Sequence, residues 1–257
     1  SKMARDRPIE TILSGPAASI VGARWLTKAD HALVSDIGGT TTDVAVLKDG
    51  RPAIDPGGAR VGPYRTMVEA VAMRTTGLGG DSEVHFISEG LKGGVTLGPR
   101  RLLPISLWAM DAPDIVLPIL EAQLRAAVPG DHDGRFVRAV QGQTIEGLGP
   151  REAAVLDRIG DAVHPVGHIL RNRIEIGSLK RLVERGLVQI AGLTPSDASH
   201  ALGLSSVWNV DAARMALILF GRRRTGAGET LAQNPDDMAR MIIDQLTEQT
   251  SLAILET

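Results

Sequence analysis

The stretch "VSDIGGTTTDVAVLKDG", residues 34–50, carries the clearest fold signal in this chain. An apolar segment breaks at two glycines and three threonines, with Asp36 before the break and Asp43 after it, and then resumes. Valine-rich apolar runs on both sides of a short polar break predict two strands, Ala32–Ser35 and Asp43–Leu47. Because both runs are apolar on both faces, we expect them to be central in a sheet. "KDGRP" then predicts a hairpin turn.

The polar break has the composition of an anion-binding turn. Glycines at 38–39 let a ligand approach the main chain, and the turn's amide groups, with the hydroxyls of 40–42, can donate to phosphate. Asp36 and Asp43 would repel phosphate unless a divalent cation lay between them, so the pattern indicates Mg²⁺, bound through water. The alternative interpretation is an ordinary hairpin with polar turn residues.

The composition excludes several classes of function. The chain has 257 residues, 43% of them hydrophobic, a formal charge of −2 and 3% aromatics, so neither nucleic acid nor a membrane is an expected partner. With no cysteine, disulfides and thiolate catalysis are ruled out, and a cytoplasmic location is expected. The start without methionine and the end inside an apolar segment suggest an internal piece of a longer protein.

Helices are marked by their caps. "SGPAASIVGARWL" (14–26) places Pro16 at a first helical position, and its small residues predict a close backbone crossing, unless it is simply a core helix. Extended segments are expected at 83–88, 94–98 and 135–140, with a helix at 114–128. The segment 67–74 is also expected to be extended, although "MVEAVAM" alone could equally be helical. From about residue 146 helices predominate. Three of them are expected at "GPREAAVLDRIG", at "GSLKRLVERG" with Ser178 as cap, and at "LTPSDASHALG" with Thr194 as cap. Two more are expected at 209–222 and 235–255, and a strand at "LVQIAG".

Other polar residues have weaker functional signals. His164 and His168 have the spacing of helical metal ligands, but a proline and a glycine lie between them. "DHD" at 131–133 is expected to be a solvated turn, and His200 a packing residue. Arg222–Arg224 are expected to complement a helix dipole. The run 150–191, with Lys180, Arg181 and Arg185, has the outline of a winged helix, although an inserted helical subdomain beside a substrate cleft is preferred to DNA binding.

Several motifs together carry a family resemblance. "SGPAASIVGARWL" before "HALVSDIGGTTTDVAVL" resembles the connector helix and second phosphate loop of the actin, sugar-kinase and heat-shock-chaperone ATPase superfamily. "ETILSGPAASIVGA", "SDIGGTTTDV", "TTGLGGDS" and "GLTPSDASHALG" look like the hydantoinase A/oxoprolinase family.

The resemblance implies an α/β fold, a ribonuclease-H-like (actin-like ATPase) domain with an inserted, mostly helical subdomain. We expect the α/β core at 1–145, the insertion at 146–208 and C-terminal helices returning to the core at 209–257. ATP and Mg²⁺ are the implied cofactors, with Asp36 and Asp43 as the catalytic and metal-holding acids. The implied cofactor contacts are Gly38, Gly39, Thr40, Thr41, Thr42, Gly79 and Gly80.

The implied function is a hydrolase that opens a cyclic amide, such as a hydantoin or 5-oxoproline, by phosphorylation of its carbonyl oxygen with ATP. The expected partners are that small substrate and the remaining N- and C-terminal parts of the same chain or a companion subunit; a homo-oligomer is left open. The fragment alone is expected to be inactive. A nucleotide-driven chaperone or enzyme-reactivating factor on the same fold is the alternative.

The sequence also departs from the family pattern. No first phosphate loop and no late adenosine-contacting Gly-Gly loop are found in it. Asp81 stands where relatives tend to have a third glycine, and "GPRRLLPIS" replaces a Gly-Pro-Glu-Ser-Ala-Gly-Ala run. Asp81 is interpreted either as a turn residue that bonds its own backbone or as a metal or substrate contact.

Overall fold

The structure, a computed structural model, describes residues 14–55, 60–61, 64–65, 70–91, 93–143 and 146–255. These residues form two compact units. The first holds the described residues up to Gly79 and from Glu248 onward, and the second is Gly80–Thr247. The expected division into 1–145, 146–208 and 209–257 stays a prediction.

The first unit has one helix near its start and a set of short strands. The helix is α1 (Ser14–Thr27). The strands are β1 (Ala32–Ile37), β2 (Thr42–Lys48), β3 (Arg51–Pro52), β4 (Ile54–Asp55), β5 (Arg60–Val61), β6 (Tyr64–Arg65), β7 (Ala70–Val71) and β8 (Met73–Thr76).

Strand β2 is the centre of the main sheet in the first unit. It pairs antiparallel with β1, with β3 and with β8. The β2–β3 turn is tight because Asp49 and Gly50 take φ values of 50° and 68°, as the Asp-Gly pair predicts. On one face, Ile20 of α1 packs with Ala45 and Leu47 of β2.

The sequence correctly predicts both strands of the first hairpin but not the position of β1. Its burial alternates along the strand, Leu33 and Ile37 are exposed, and within the described residues β1 pairs with β2 alone. The expectation that β1 is a central strand was therefore wrong. An apolar sequence does not show whether a strand has a partner strand on one side or on both. The extended segment expected at 67–74 is described in part, at β7 and β8, and the rest of it lies outside the described residues.

The second unit contains the remaining elements. Its strands are β9 (Ser82–Ile87), β10 (Gly94–Arg101), β11 (Leu103–Pro104), β12 (Phe136–Ala139), β13 (His164–Pro165) and β14 (Val188–Gly192). Its helices are α2 (Ile105–Asp111), α3 (Pro113–Arg125), α4 (Pro150–Ile159), α5 (Val166–Ile169), α6 (Glu175–Glu184), α7 (Pro195–Ala201) and α8 (Val210–Gly221). The last helix, α9 (Pro235–Leu255), begins in this unit.

A mixed sheet and the helices beside it form the core of the second unit. The strand order is β11-β14-β12-β13, with β11 parallel to β14 and the other pairs antiparallel. Val155 and Ile159 of α4 and Leu179 and Leu182 of α6 pack with Val188 of β14. Strands β9 and β10 form the expected hairpin. The mixed α/β class is therefore confirmed, whereas the ribonuclease-H-like topology stays a prediction.

Helix caps in the second unit follow the local sequence at most positions. Thr194 caps α7 and Asn209 caps α8, each accepting a hydrogen bond from a first-turn amide. The expected cap at Ser178 was wrong: this residue is buried inside α6. Asn172 lies just before that helix, and its side-chain oxygen accepts from the amides of Ile174 and Glu175, so the helix begins one turn earlier.

Candidate functional site

The turn between β1 and β2 brings the two predicted acids together. Asp36 and Asp43 are direct cross-strand partners, and Ile37 is paired with Thr42. Directly opposed residues of an antiparallel pair project to the same face with Cβ atoms about 5 Å apart. Two half-buried carboxylates thus share one face at the base of the turn, where their mutual repulsion would be relieved by a cation.

The turn itself leaves most of its amides free. The Gly38 amide donates to the Thr41 carbonyl at 2.9 Å, so it is already used by the hairpin. The amides of Gly39, Thr40 and Thr41 have no acceptor in the part of the chain that the structure describes. Gly38, Gly39 and Thr40 are exposed. The free donors of the turn are therefore those of 39–41, and the expectation of a phosphate contact from the Gly38 amide conflicts with its bond to Thr41.

Thr42 anchors the turn instead of facing a ligand. It is fully buried, and its Oγ1 donates to the Leu78 carbonyl at 2.8 Å. This bond fixes the start of β2 to the segment that follows β8. A role for the Thr42 hydroxyl as a phosphate donor does not fit this geometry, because its hydrogen is already committed.

Asp43 has a neighbour that no local pattern in the sequence indicates. Thr75 of β8 is its cross-strand partner, and the Thr75 hydroxyl donates to Asp43 Oδ1 at 2.5 Å. The bond orients the carboxylate and leaves Oδ2 available. Thr75 lies 32 residues away in the chain, and only the pairing of β2 with β8 reveals the contact.

Gly79 lies directly against the turn. A Cβ at this position would lie 2.4 Å from the Gly38 carbonyl oxygen and 2.6 Å from that of Gly39. Both neighbours are backbone atoms, so no side chain can yield. The structure thus brings Gly79 together with the predicted turn.

Gly80 belongs to the second unit and has a different neighbour. Its carbonyl accepts from the Ser196 amide at 2.7 Å, and an added Cβ would lie 2.8 Å from Ser196 Oγ. The close approach of Ser196 is enough to explain the glycine at position 80, and no ligand contact is needed for it.

The donor set at the turn fits the expected cofactor chemistry. Two carboxylates and nearby hydroxyls are the hard oxygen ligands that Mg²⁺ prefers, and Mg²⁺ keeps several waters when the protein supplies few ligands. Within the described residues no group of three or more His, Asp or Glu side chains could hold a metal ion, so a cation here would take its other ligands from water or phosphate. Free amides beside it suit phosphate oxygens.

Asp81 does not bond its own turn backbone, and its role as a metal or substrate contact stays a prediction. Its Oδ2 accepts from Arg101 Nε and Nη2 at 3.1 and 3.0 Å, and its Oδ1 accepts from Ser196 Oγ at 3.4 Å. The side chain is therefore held by a two-pronged ion pair across the β9–β10 hairpin. A bond to its own turn backbone was a wrong expectation, because the partner lies 20 residues away.

The histidines with metal-like spacing lie on different elements and not on one helix. His164 lies in β13 and His168 in α5, and no metal-binding group is found within the described residues. His200 is buried, its Nδ1–H donates to the Ser196 carbonyl (2.7 Å), and its ring stacks on that of Trp208 with the centroids 4.9 Å apart. It is a packing residue, as expected.

Three basic residues of 150–191 have polar partners within the second unit. Arg181 pairs with Glu152, Lys180 pairs with Glu184, and Arg185 donates to the carbonyls of 146 and 147. No helix of the described residues is long and apolar enough to cross a membrane.

Residues 1–102 match the family model described as hydantoinase/oxoprolinase. This part of the chain is similar to that family. The family prediction is confirmed there, while the resemblance of "GLTPSDASHALG" lies outside the matched residues. No curated protein matches the chain.

Among solved structures, the chain is similar to nucleotide-free acetone carboxylase, described in work on ATP-dependent acetone carboxylation. The identity is 16% and the TM-score 0.49, and the match covers 95% of this chain. The chain spans 24% of the length of that protein.

Proposed function

We propose that the β1–β2 turn is one half of an ATP–Mg²⁺ site in a hydantoinase/oxoprolinase-type hydrolase that opens a cyclic amide. The observation that carries the proposal is the opposition of Asp36 and Asp43 beneath a turn with free amides at 39–41. The match of residues 1–102 to the hydantoinase/oxoprolinase family model supports the reaction class. The fold expected around this hairpin is the ribonuclease-H-like, actin-like ATPase domain.

Within this proposal each residue has a distinct task. Asp36 and Asp43 would hold the water shell of Mg²⁺, and the amides of 39–41 with the hydroxyls of Thr40 and Thr41 would orient phosphate oxygens. ATP would supply the phosphoryl group that makes the amide oxygen a leaving group. Positioning and charge neutralisation are then the contributions of this turn.

The remaining parts of the site lie outside this hairpin. A first phosphate loop, an adenosine-contacting loop and the groups that bind the cyclic amide would come from other parts of the same protein or from a companion subunit. Cytoplasmic location and the alternative as a nucleotide-driven chaperone or reactivating factor stay open.

The test is an assay of the full-length protein with hydantoin and with 5-oxoproline. We expect ATP hydrolysis that a cyclic amide stimulates, with the ring-opened product formed. Asp36→Asn should lower turnover about 100-fold, since it removes a charge that acts on the transferring group. Asp49→Asn is the matched control: Asp49 is exposed in the distant β2–β3 turn, where asparagine also accepts a positive φ.

Two results would contradict the proposal. Equal turnover of the Asp36→Asn protein and the wild type would remove the metal role. ATP turnover indifferent to both cyclic amides but changed by a partner protein would favour the chaperone-like alternative. Mn²⁺ binding, followed by electron paramagnetic resonance, gives a readout of the Asp36 site that does not depend on the substrate.

A further inference from the structure

A cavity of about 440 Å³ lies within the second unit, between the start of the 129–134 loop and the end of α8. Its apolar wall includes Phe86, Pro129 and Leu219. Its charged wall holds three consecutive arginines, at 222–224, and Asp131 and Asp133. This combination is separate from the residues of the β1–β2 turn and has no part in the function proposed above.

Two of the three arginines have structural partners. Arg222 donates to the carbonyls of Gln123, Leu124 and Ala126, at the C-terminal end of α3. It therefore complements the dipole of α3 and not, as the sequence predicts, that of its own helix. Arg224 is exposed and donates to the Gly228 carbonyl at 3.1 Å.

Arg223 differs from both. It is half-buried, and its guanidinium lies over the Phe220 ring, 4.2 Å from the centroid. Among the described residues, the Arg223 guanidinium has no hydrogen-bond acceptor and no ion-pair partner. Its one specific contact there is the cation–π contact with Phe220. Five donors of a fixed fork thus border a cavity without an acceptor.

The other half-buried arginines of the described chain show how unusual this is. Each has a carboxylate or carbonyl partner: Arg135 with Glu83, Arg138 with Asp111, Arg158 with Glu175, Arg214 with Asp236, and Arg222 with the end of α3. None of the Arg223 nitrogens is among the buried side-chain atoms without a partner, so they reach the solvent of the cavity, where a carboxylate can replace water as their acceptor.

The neighbouring charges do not supply that acceptor. Arg135 lies close enough to repel Arg223, and its own partner is Glu83 at 2.5 Å. Asp131 and Asp133 attract Arg223, but neither lies within ion-pair distance of it; Asp133 accepts from the Gly130 amide at 2.8 Å. Burial, and then Arg135, lower the pKa of Arg223.

We infer that this cavity binds a small organic monocarboxylate, with Arg223 as the two-pronged partner of the carboxylate and Phe86, Pro129 and Leu219 around its apolar body. A guanidinium fork matches the two oxygens of a carboxylate. Because three arginines and two aspartates line the cavity, one positive charge is in excess, which suits a monoanion better than a phosphate dianion.

Benzoate is the probe, with benzamide as its neutral isostere and inorganic phosphate as the dianion. Isothermal titration calorimetry should show saturable benzoate binding and none for benzamide or phosphate. Arg223→Gln should weaken benzoate binding by at least about tenfold, the loss of one charge-assisted pair. Arg240→Gln is the matched control, because Arg240 is exposed on α9 and does not line the cavity, and its affinity should equal that of the wild type.

Circular dichroism checks that each variant is folded. Arg223→Lys keeps the charge but not the fork, and it should also bind benzoate more weakly than the wild type; it serves as the test if the glutamine variant does not fold. The inference is overturned if benzoate does not bind, if either Arg223 variant binds it as tightly as the wild type, or if benzamide or phosphate binds as well as benzoate.

Discussion

Two regions of this chain combine small polar residues with aspartate, and they differ in whether their hydrogen-bonding groups have partners within the chain. In the β1–β2 turn the amides of 39–41 are free and the carboxylates of Asp36 and Asp43 face each other. At the start of α7 the carboxylate of Asp197 is fully buried and accepts from the amides of Ile105, Ser106 and Thr194.

The hydroxyls of Ser106 and Thr194 also donate to Asp197, at 2.6 and 2.9 Å. One carboxylate thus caps the first turn of α7 and the first turn of α2 at once. Burial raises the pKa of Asp197, and these hydrogen bonds act against that rise. An aspartate beside threonines therefore indicates a ligand site only where its carboxylate oxygens do not already accept hydrogen bonds from the protein itself.

The largest expected effect is the loss of the Asp197 network. Asp197→Ala would leave the amides of Ile105, Ser106 and Thr194 buried without acceptors, and we expect the free energy of unfolding to fall by about 3–5 kcal/mol. Chemical denaturation measures it. Asp114→Ala is the control, since Asp114 is an exposed first-turn acid of α3 whose loss should cost less than about 1 kcal/mol. Equal losses at both positions would reduce Asp197 to an ordinary dipole partner.

The next effect concerns the shape of the β1–β2 turn. Gly79→Ala would place a methyl group 2.4 Å from the Gly38 carbonyl oxygen, so the turn must shift. We expect a loss of about 1–3 kcal/mol in the free energy of unfolding, by overpacking against backbone. In the full-length protein, ATP turnover should fall as well, because the free amides move. Unchanged stability would show that the turn is not held by Gly79.

Local sequence rules predict much of this comparison. The apolar–polar–apolar pattern gives both strands of the hairpin, the Asp-Gly pair gives the β2–β3 turn, and Thr194 with Asp197 gives the start of α7. Each of these features depends on residues within a few positions of one another, where propensity and capping decide the outcome.

Contacts between residues far apart in the chain could not be predicted from these local rules. Thr75 reaches Asp43, Arg101 reaches Asp81, and Asp197 reaches the start of α2 across 91 residues. The sequence predicts the cap of α7 at Thr194 but contains no sign of a second helix start beside Asp197. Ser178 shows the reverse failure, because a competing cap at Asn172 lies upstream and starts the helix earlier.

A smaller effect, of opposite sign, is expected at a second glycine. Gly22 lies inside α1, and an added Cβ would meet no heavy atom of the described residues within 4 Å. Gly22→Ala should therefore raise the free energy of unfolding by about 0.5–1 kcal/mol, through helix propensity alone. Thermal unfolding of Gly22→Ala and Gly79→Ala measures the two changes in stability side by side. A loss of stability at Gly22 would instead support the close backbone crossing that the small residues of α1 predict.

The smallest effect tests a helix-capping acid that is not buried like Asp197. Glu152 at the start of α4 accepts from the Gly149 amide and pairs with Arg181, and these contacts, Arg181 first, lower the pKa of Glu152 below 4.5. A lowered pKa in the folded state means that the stabilisation is present above pH 4.5 and is lost as the pH falls through the folded value. Glu152→Gln should hence be less stable than the wild type at pH 7, and the difference should vanish in acid. Unfolding curves between pH 7 and pH 3 measure it, and a difference that persists at the lowest pH would mean that packing, not charge, gives Glu152 its effect.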